Sequence, residues 1–373
     1  MNEIVAVLRA ATDTLARGGR AVLVTVVRTE GSTYRRPGAR MVFPEDGHPA
    51  GFVSGGCLEA DLAERVQGVF QSGEASTVTY DMRSPDDVVW GLGLGCNGEV
   101  RVLLERLDPP LVPEHLAFLD RAVHGTEPAV LATAFAVRGT ANVSVGDRWM
   151  AAAAGSARGA AALGDLVAPA VGDAVAAGRS LVRSFPIAGG EVDVLLEHVA
   201  PIRSLIVFGA GRDAVPVCRF AKQLGWRVVV ADHRPAYATP EKFPDADGVS
   251  VIETGRLGHA GLVVDRRAAV LVMTHHFLRD LEILQFALSS QASYVGILGP
   301  ARRTELLLRE LAARGVDVDE GTRARLHGPV GIDIGSDTPE EIALSALAEI
   351  QAVTTGRVAG FLRDREGPLH DGP

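Results

Sequence analysis

The sequence predicts an α/β protein, with an N-terminal α+β domain followed by a C-terminal doubly wound parallel sheet of Rossmann type. Three observations carry this. From Arg203 onward, short and wholly apolar strands alternate with amphipathic helices, as in a parallel sheet covered on both faces. The first of these strands, Leu205-Ile206-Val207-Phe208, runs into Gly209-Ala210-Gly211-Arg212-Asp213-Ala214, a GxGxxA fingerprint. Upstream, strands are punctuated by glycine and proline turns, and Pro201 marks the change of architecture.

In chain order, an N-terminal helix precedes a strand at Ala21–Val27, and a turn through Gly31, Pro37 and Gly38 leads into Met41–Phe43. Gly51–Val53 runs into a glycine-cysteine loop, after which Leu58, Leu62, Val66 and Val69 recur at helical spacing. That spacing puts Cys57 in the first helical turn, where free amides and the helix dipole favour a thiolate. Thr77–Tyr80 and Val100–Glu105 read as strands flanking an acidic turn and a second glycine-cysteine loop. Pro109, Pro110 and Pro113 mark a junction, so residues 1–107 form the first domain and 108–200 an intermediate segment that completes it. In that segment a helix near Glu114–His124 leads to a strand at Ala129–Val137, and Ser180–Phe185 and Val192–His198 are strands. The Ala- and Gly-rich run Ala151–Leu163 reads either as a flexible connector or as a small-residue helix. No repeat of short period is legible.

Residues 201–373 form the third segment. Its strands are Ser204–Phe208, Arg227–Ala231, Val249–Ile252, Ala269–Met273 and Tyr294–Ile297, with helices to about Leu224, through Leu288, over Arg302–Arg314 and over Pro339–Val353.

Composition limits the function classes. With 47% hydrophobic and 22% charged residues in 373, the chain is a soluble globular protein of two or three domains. A formal charge of −9 argues against a nucleic-acid backbone or an anionic membrane as partner. Three cysteines without a CxxC pair support neither a disulfide framework nor a structural zinc site and fit a reducing, cytoplasmic setting. Met1–Arg20 carries Arg9, Arg17 and Arg20 at helical spacing and does not read as a signal peptide, and no stretch approaches a membrane span.

Two sites carry chemistry. The turns Ser54-Gly55-Gly56-Cys57-Leu58-Glu59 and Gly93-Leu94-Gly95-Cys96-Asn97-Gly98-Glu99 hold cysteines among backbone amides, with Arg35, Arg36 and Arg40 as neighbouring positive charge. The plain alternative for each cysteine is a small packed residue, and it is the better reading for Cys218, which lies within a helix beside Val217 and Phe220. In the fingerprint, Gly209 permits the tight turn, Gly211 clears the pyrophosphate approach, Ala214 allows close packing, and Asp232 stands at the spacing of a ribose-binding carboxylate. Thr274-His275-His276, Gly299 with Arg302 and Arg303, and His327-Gly328-Pro329 add polar groups at the carboxyl ends of later strands. Neighbouring histidines on an extended segment point opposite ways, so a hydrogen-bonding role is expected rather than a metal site. Paired arginines serve either a phosphate or a solvated face.

These motifs together resemble the xanthine dehydrogenase accessory factors, the XdhC/CoxI family, over nearly the whole chain. The resemblance rests on Gly31-Ser32-Thr33-Tyr34-Arg35-Arg36-Pro37-Gly38-Ala39-Arg40-Met41, on both cysteine turns, and on the series beginning Val207-Phe208-Gly209-Ala210-Gly211. Asp232-His233-Arg234-Pro235, Met273-Thr274-His275-His276, Gly299-Pro300-Ala301-Arg302-Arg303 and Gly331-Ile332-Asp333-Ile334-Gly335 extend it. It implies an XdhC/CoxI-like N-terminal domain before the Rossmann-like domain, in a cytoplasmic chaperone that binds molybdenum cofactor. Such a protein supports sulfuration and delivers the cofactor to a molybdoenzyme of the xanthine dehydrogenase or CO dehydrogenase class, with a cysteine desulfurase as a further partner. Apart from the resemblance, a homodimer is the default expectation. The resemblance further implies Cys57 and Cys96 as the thiol or sulfur-relay groups, with Cys57 as the molybdenum contact. Gly55, Gly56, Gly95, Gly98, Gly209, Gly211, Ala214, Asp232, His275, Gly299, Arg302 and Arg303 then bind cofactor. Many members have a His after the second fingerprint glycine; here Arg212-Asp213 stands in that place, so no role carries over from that His. The alternative is an NAD(P)-dependent oxidoreductase with an N-terminal substrate domain and His275 or His276 as acid/base.

Overall fold

The computed structural model describes residues 3–83, 98–140, 142–152, 155–253, 255, 257 and 262–366. Residues Glu3–Pro201 and Ile202–Glu366 form two compact units. Among the described residues no helix is long and apolar enough to cross a membrane.

The first unit opens with α1 (Glu3–Ala16), β1 (Ala21–Gly31), β2 (Arg40–Pro44), β3 (Ala50–Gly51), α2 (Glu59–Ser72), β4 (Ser76–Asp81) and β5 (Gly98–Leu107). The strands make an antiparallel sheet in the order β3-β2-β1-β5-β4. Period-two alternation puts Val22, Val24 and Val26 of β1 and Val102 and Leu104 of β5 on one face, buried beneath Leu62, Val66 and Val69 of α2.

The chain then builds the same thing again. α3 (Glu114–His124), β6 (Ala129–Arg138), β7 (Arg148–Ala152), β8 (Ala157–Gly159), α4 (Ala161–Ala177), β9 (Leu181–Ile187) and β10 (Gly190–Val199) follow in the same order, and the strands pair as β8-β7-β6-β10-β9. Val130, Ala132, Val192, Val194 and Leu196 face Leu163, Val167 and Ala170 of α4. The run Ala151–Leu163 is therefore neither a connector nor one helix: it ends β7, forms β8 and starts α4.

The correspondence holds residue by residue. Arg40 and Arg148 each open the second strand of their copy, in register with Thr25 and Thr133. Each copy slips a register once along its central pair, after Val26 in β1 and opposite Ala134 in β6. Arg40 donates to Gly38 O (2.8 Å) and Arg148 to Gly146 O (2.5 Å). Each arginine then reaches the glutamate of the other copy: Arg40 Nη1 lies 2.6 Å from Glu197 Oε1 on β10, and Arg148 pairs with Glu105 on β5. Val27 and Leu103 of one copy and Phe135 and Leu195 of the other share one buried cluster. Such reciprocal contacts are those of a two-fold dimer, here closed within one chain.

The copies differ in two connections. After Gly51 the chain runs through Phe52–Leu58 before α2, whereas after Gly159 the single residue Ala160 precedes α4. β9 and β10 are joined by Ala188-Gly189, whereas residues 82–97 join β4 to β5.

The second unit contains β11 (Ser204–Phe208), α5 (Ala214–Gln223), β12 (Arg227–Asp232), β13 (Gly248–Val251), β14 (Ala268–Val272), α6 (Phe277–Ser289), β15 (Tyr294–Ile297), α7 (Ala301–Ala313), α8 (Glu320–Ala324), β16 (Leu326–His327) and α9 (Pro339–Thr354). All pairings are parallel, in the order β13-β12-β11-β14-β15-β16. Val217, Cys218 and Ala221 of α5 with Ala343, Leu347 and Ile350 of α9 cover one face, and Leu281 and Leu284 of α6 with Leu307 and Leu311 of α7 cover the other. α9 starts with a Thr338–Glu341 capping box and a proline in its first turn. The order reverses between β11 and β14, which is where ligands bind in such sheets.

Candidate functional site

Cys57 lies two residues before α2 rather than in its first turn: Leu58 is the N-cap and the helix starts at Glu59. The amides expected to face the cysteine go elsewhere. Gly56 N, Cys57 N and Leu58 N all donate to Ser54 Oγ, at 3.2, 3.1 and 3.1 Å. Glu59 closes the loop by accepting from Ser54 N (2.9 Å), Val53 N (3.3 Å), Leu58 N (3.2 Å) and the Ser54 hydroxyl. Burial pushes the Glu59 carboxyl up, but the hydrogen bonds from the Ser54 hydroxyl and these amides outweigh it and hold the pKa below the usual carboxylate range. The amides of Val53, Ser54, Gly56, Cys57 and Leu58 are thus spent on Ser54 and Glu59, while the half-buried Cys57 thiol packs at the edge of the α2 cluster. Gly55 faces the ring of Tyr34, and Gly56 sits at φ +108°, a left-handed turn that a side chain would strain.

At the base of the second cysteine turn, Gly98 packs directly under β1, where a Cβ would lie 2.6 Å from Glu30 O and from Ser32 O. Arg83 ties this base together through Asp81 (2.8 Å), Glu99 (2.6 Å) and Glu30 (3.2 Å). Gly95 and Cys96 lie outside the described residues. Cys218 is buried in α5, and burial pushes its thiol up to about 11.

In the second unit the fingerprint turn is closed by its own side chains. Gly209 has φ +120°, and a Cβ there would meet Met273 O at 2.5 Å, so the turn sits hard against the end of β14. Ala214 is fully buried, as the close helix packing requires. Asp232 is also fully buried: it accepts from Ala210 N (2.7 Å) and from Arg234 N (2.9 Å), Nε (3.0 Å) and Nη2 (2.7 Å). Burial raises its pKa, but these bonds prevail and keep the carboxyl below its ordinary value. The space above Gly211 is filled by the Asp213 carboxylate, whose other oxygen meets His275 Nε2 at 2.8 Å. His275 has φ +60°, so a non-glycine backbone is held in the left-handed region at this point. It is held there by Thr274 Oγ1 donating to buried Asp280 (2.5 Å), which Arg303 in turn grips at 2.6 Å.

Arg303 is therefore committed to Asp280, and a Cβ at Gly299 would lie 3.0 Å from its Cδ, whereas Arg302 is exposed at the start of α7. His276 is not a partner of His275; its ring lies 6.5 Å from that of His233. No three His, Cys, Asp or Glu side chains gather as a metal site among the described residues. Sequence reasoning did not foresee that Ser54 and Glu59 take up the cysteine-loop amides, or that Asp280 anchors Thr274 and Arg303. The one available signal was Ser54 and Glu59 bracketing a helix start.

Comparison with known proteins places these features in a family. The description "XdhC and CoxI family" matches residues 14–81, within the first copy of the duplicated unit, and "XdhC Rossmann domain" matches residues 205–350. A probable xanthine dehydrogenase component of Bacillus subtilis is 32% identical over 333 residues, covering 88% of this chain and 92% of that protein. The molybdenum cofactor insertion chaperone PaoD of Escherichia coli K12 is 28% identical over 350 residues, covering 93% and 87%. A crystal structure of a xanthine dehydrogenase from Bacillus halodurans superposes with a TM-score of 0.74 at 31% identity, covering 95% of this chain and 97% of that one.

Proposed function

The chain belongs to the XdhC and CoxI family, and from that premise we propose that it is a maturation factor that carries molybdenum cofactor as cargo. It supports exchange of an oxo ligand on molybdenum for sulfide and hands the cofactor to a xanthine dehydrogenase-like enzyme, a CO dehydrogenase-like enzyme being a recipient of the same chemistry. The relatives named as a cofactor insertion chaperone and as a component of xanthine dehydrogenase support this reading.

The observation that carries it is the loop Phe52–Leu58. The second copy makes the same strand-to-helix junction with Ala160 alone, so the fold does not need the loop. What the loop adds is a half-exposed thiol on a backbone locked by Ser54 and Glu59. A thiolate there is a soft ligand for molybdenum or the acceptor of sulfur from a cysteine desulfurase. Against the NAD(P)-dependent oxidoreductase reading, Asp232 has no exposed edge for a ribose and Asp213 puts negative charge where a pyrophosphate would approach.

The test is molybdenum and pterin analysis of protein purified from cells that make the cofactor, with Cys57→Ala in parallel. The proposal expects cofactor in the wild type and a large loss in the variant; unchanged loading overturns the thiol assignment.

A further inference from the structure

The duplication supplies an internal control for which surface residues serve a ligand. The turn between the first two strands has the same length in both copies, from Gly31 to Gly38 and from Gly139 to Gly146, and the flanking Arg40 and Arg148 make equivalent bonds. The backbone requirement is therefore the same twice, yet the side chains differ. Tyr34, Arg35 and Arg36 of the first copy stand where the second has Asn142, Val143 and Ser144. In both copies the outer two of these positions are exposed and the middle one turns inward: Val143 is buried, Arg35 is half-buried, and Asp147 accepts from Ser144 N at 2.9 Å.

Tyr34 is 62% exposed, and its ring touches the cysteine loop at Gly55, 3.9 Å from the position of a Cβ. Its other neighbour is Phe52, also in the loop, with ring centroids 6.3 Å apart. Arg35 holds Phe52, with its guanidinium 4.3 Å from the centroid of the Phe52 ring and 2.6 Å from Glu3. Arg36 is exposed and makes no ion pair among the described residues, in a chain of net charge −9. An exposed aromatic ring held against the cysteine loop, with an exposed arginine, unpaired among the described residues, two residues on in the same turn, suits a planar heteroaromatic ring that carries a phosphate. It stands on the copy, and against the loop, that carries Cys57.

We propose that Tyr34 is the stacking surface for the pterin ring of the cargo and that Arg36 meets its phosphate. This rests on the cofactor reading above and adds to it the residues that recognise the organic part of the cargo. Substitution at an exposed turn leaves the fold intact, which circular dichroism checks.

The experiment is equilibrium ultrafiltration, without oxygen, of the full chain with molybdenum cofactor freshly released from a molybdoenzyme, with retained molybdenum measured. Tyr34→Leu is expected to weaken binding by about tenfold, and Tyr34→Phe, which keeps the ring, by no more than about twofold. Arg36→Ser, the residue of the second copy, weakens binding several-fold at low salt and less at high salt. Asn142→Ala changes nothing. If the wild type binds, Cys57→Ala does not, and Tyr34→Leu binds as the wild type does, the stacking assignment is overturned while the cofactor reading stands. If the wild type does not bind, the cofactor reading itself falls and takes this assignment with it.

Discussion

Replacing Glu197 by Leu tests whether the two copies of the N-terminal unit are joined as described. Arg40 and Glu197 meet with side-chain exposures of only 3% and 7%, so water cannot replace the lost carboxylate. Arg40 also has an Nε that is buried without a partner, so the guanidinium has little left to hold its charge. Removing one member of so buried a pair costs about 3–5 kcal/mol. At about 2–4 °C per kcal/mol for a unit of this size, the melting transition should fall by roughly 6 to 20 °C. The assay is differential scanning calorimetry of the intact chain. Arg40→Met combined with Glu197→Leu should recover most of the loss, because the expense lies in the uncompensated charge rather than in the missing attraction. Glu105→Leu, which strands Arg148 at the equivalent place with 10% and 13% exposure, should lower the same transition by a similar amount. A single Glu197→Leu variant that melts with the wild type would show the pair to be solvated and would refute the reciprocal interface.

Three further outcomes follow from the sites. Because hydrogen bonds hold the Glu59 carboxyl below its ordinary value of 4.5, the ionised form stabilises the cysteine loop at neutral pH, and that contribution fades as pH falls through the lower folded value. Protection of the Ser54 and Leu58 amides from hydrogen exchange, taken relative to the intrinsic rate at each pH, should therefore fall on acidification, and Glu59→Gln should show low protection throughout the range. Gly209→Ala should destabilise the Rossmann unit by at least about 1 kcal/mol in urea unfolding, since its Cβ meets Met273 O and its φ is +120°. With its thiol pushed up to about 11 by burial, Cys218 should resist iodoacetamide in native protein at mildly alkaline pH while Cys57 is labelled, as peptide mass spectrometry would show.

Much of the fold follows from local pattern alone. The apolar runs at Ser204–Phe208 and Tyr294–Ile297 coincide with β11 and β15, because a buried parallel strand is a short-range composition and a doubly wound sheet repeats it. The glycine-cysteine turn was legible because both its residue types are unusual together. The duplication was not, because equivalent positions are satisfied by different apolar residues, as with Val27 and Phe135, and only the pairing of strands exposes their equivalence. Nor was the destination of the amides. Spacing along the chain put Cys57 at a helix start and Asp232 at a ribose, but which oxygen reaches an amide first depends on side-chain geometry in three dimensions. Ser54 and Glu59 reach the loop amides, and Ala210, Arg234 and His233 engage Asp232. Linear order thus determined which groups are present in each turn. Tertiary packing alone decided which of them are already spent on one another and which, like the Cys57 thiol and the face of Tyr34, are left for a ligand, because a buried polar group must find a partner and an exposed one need not.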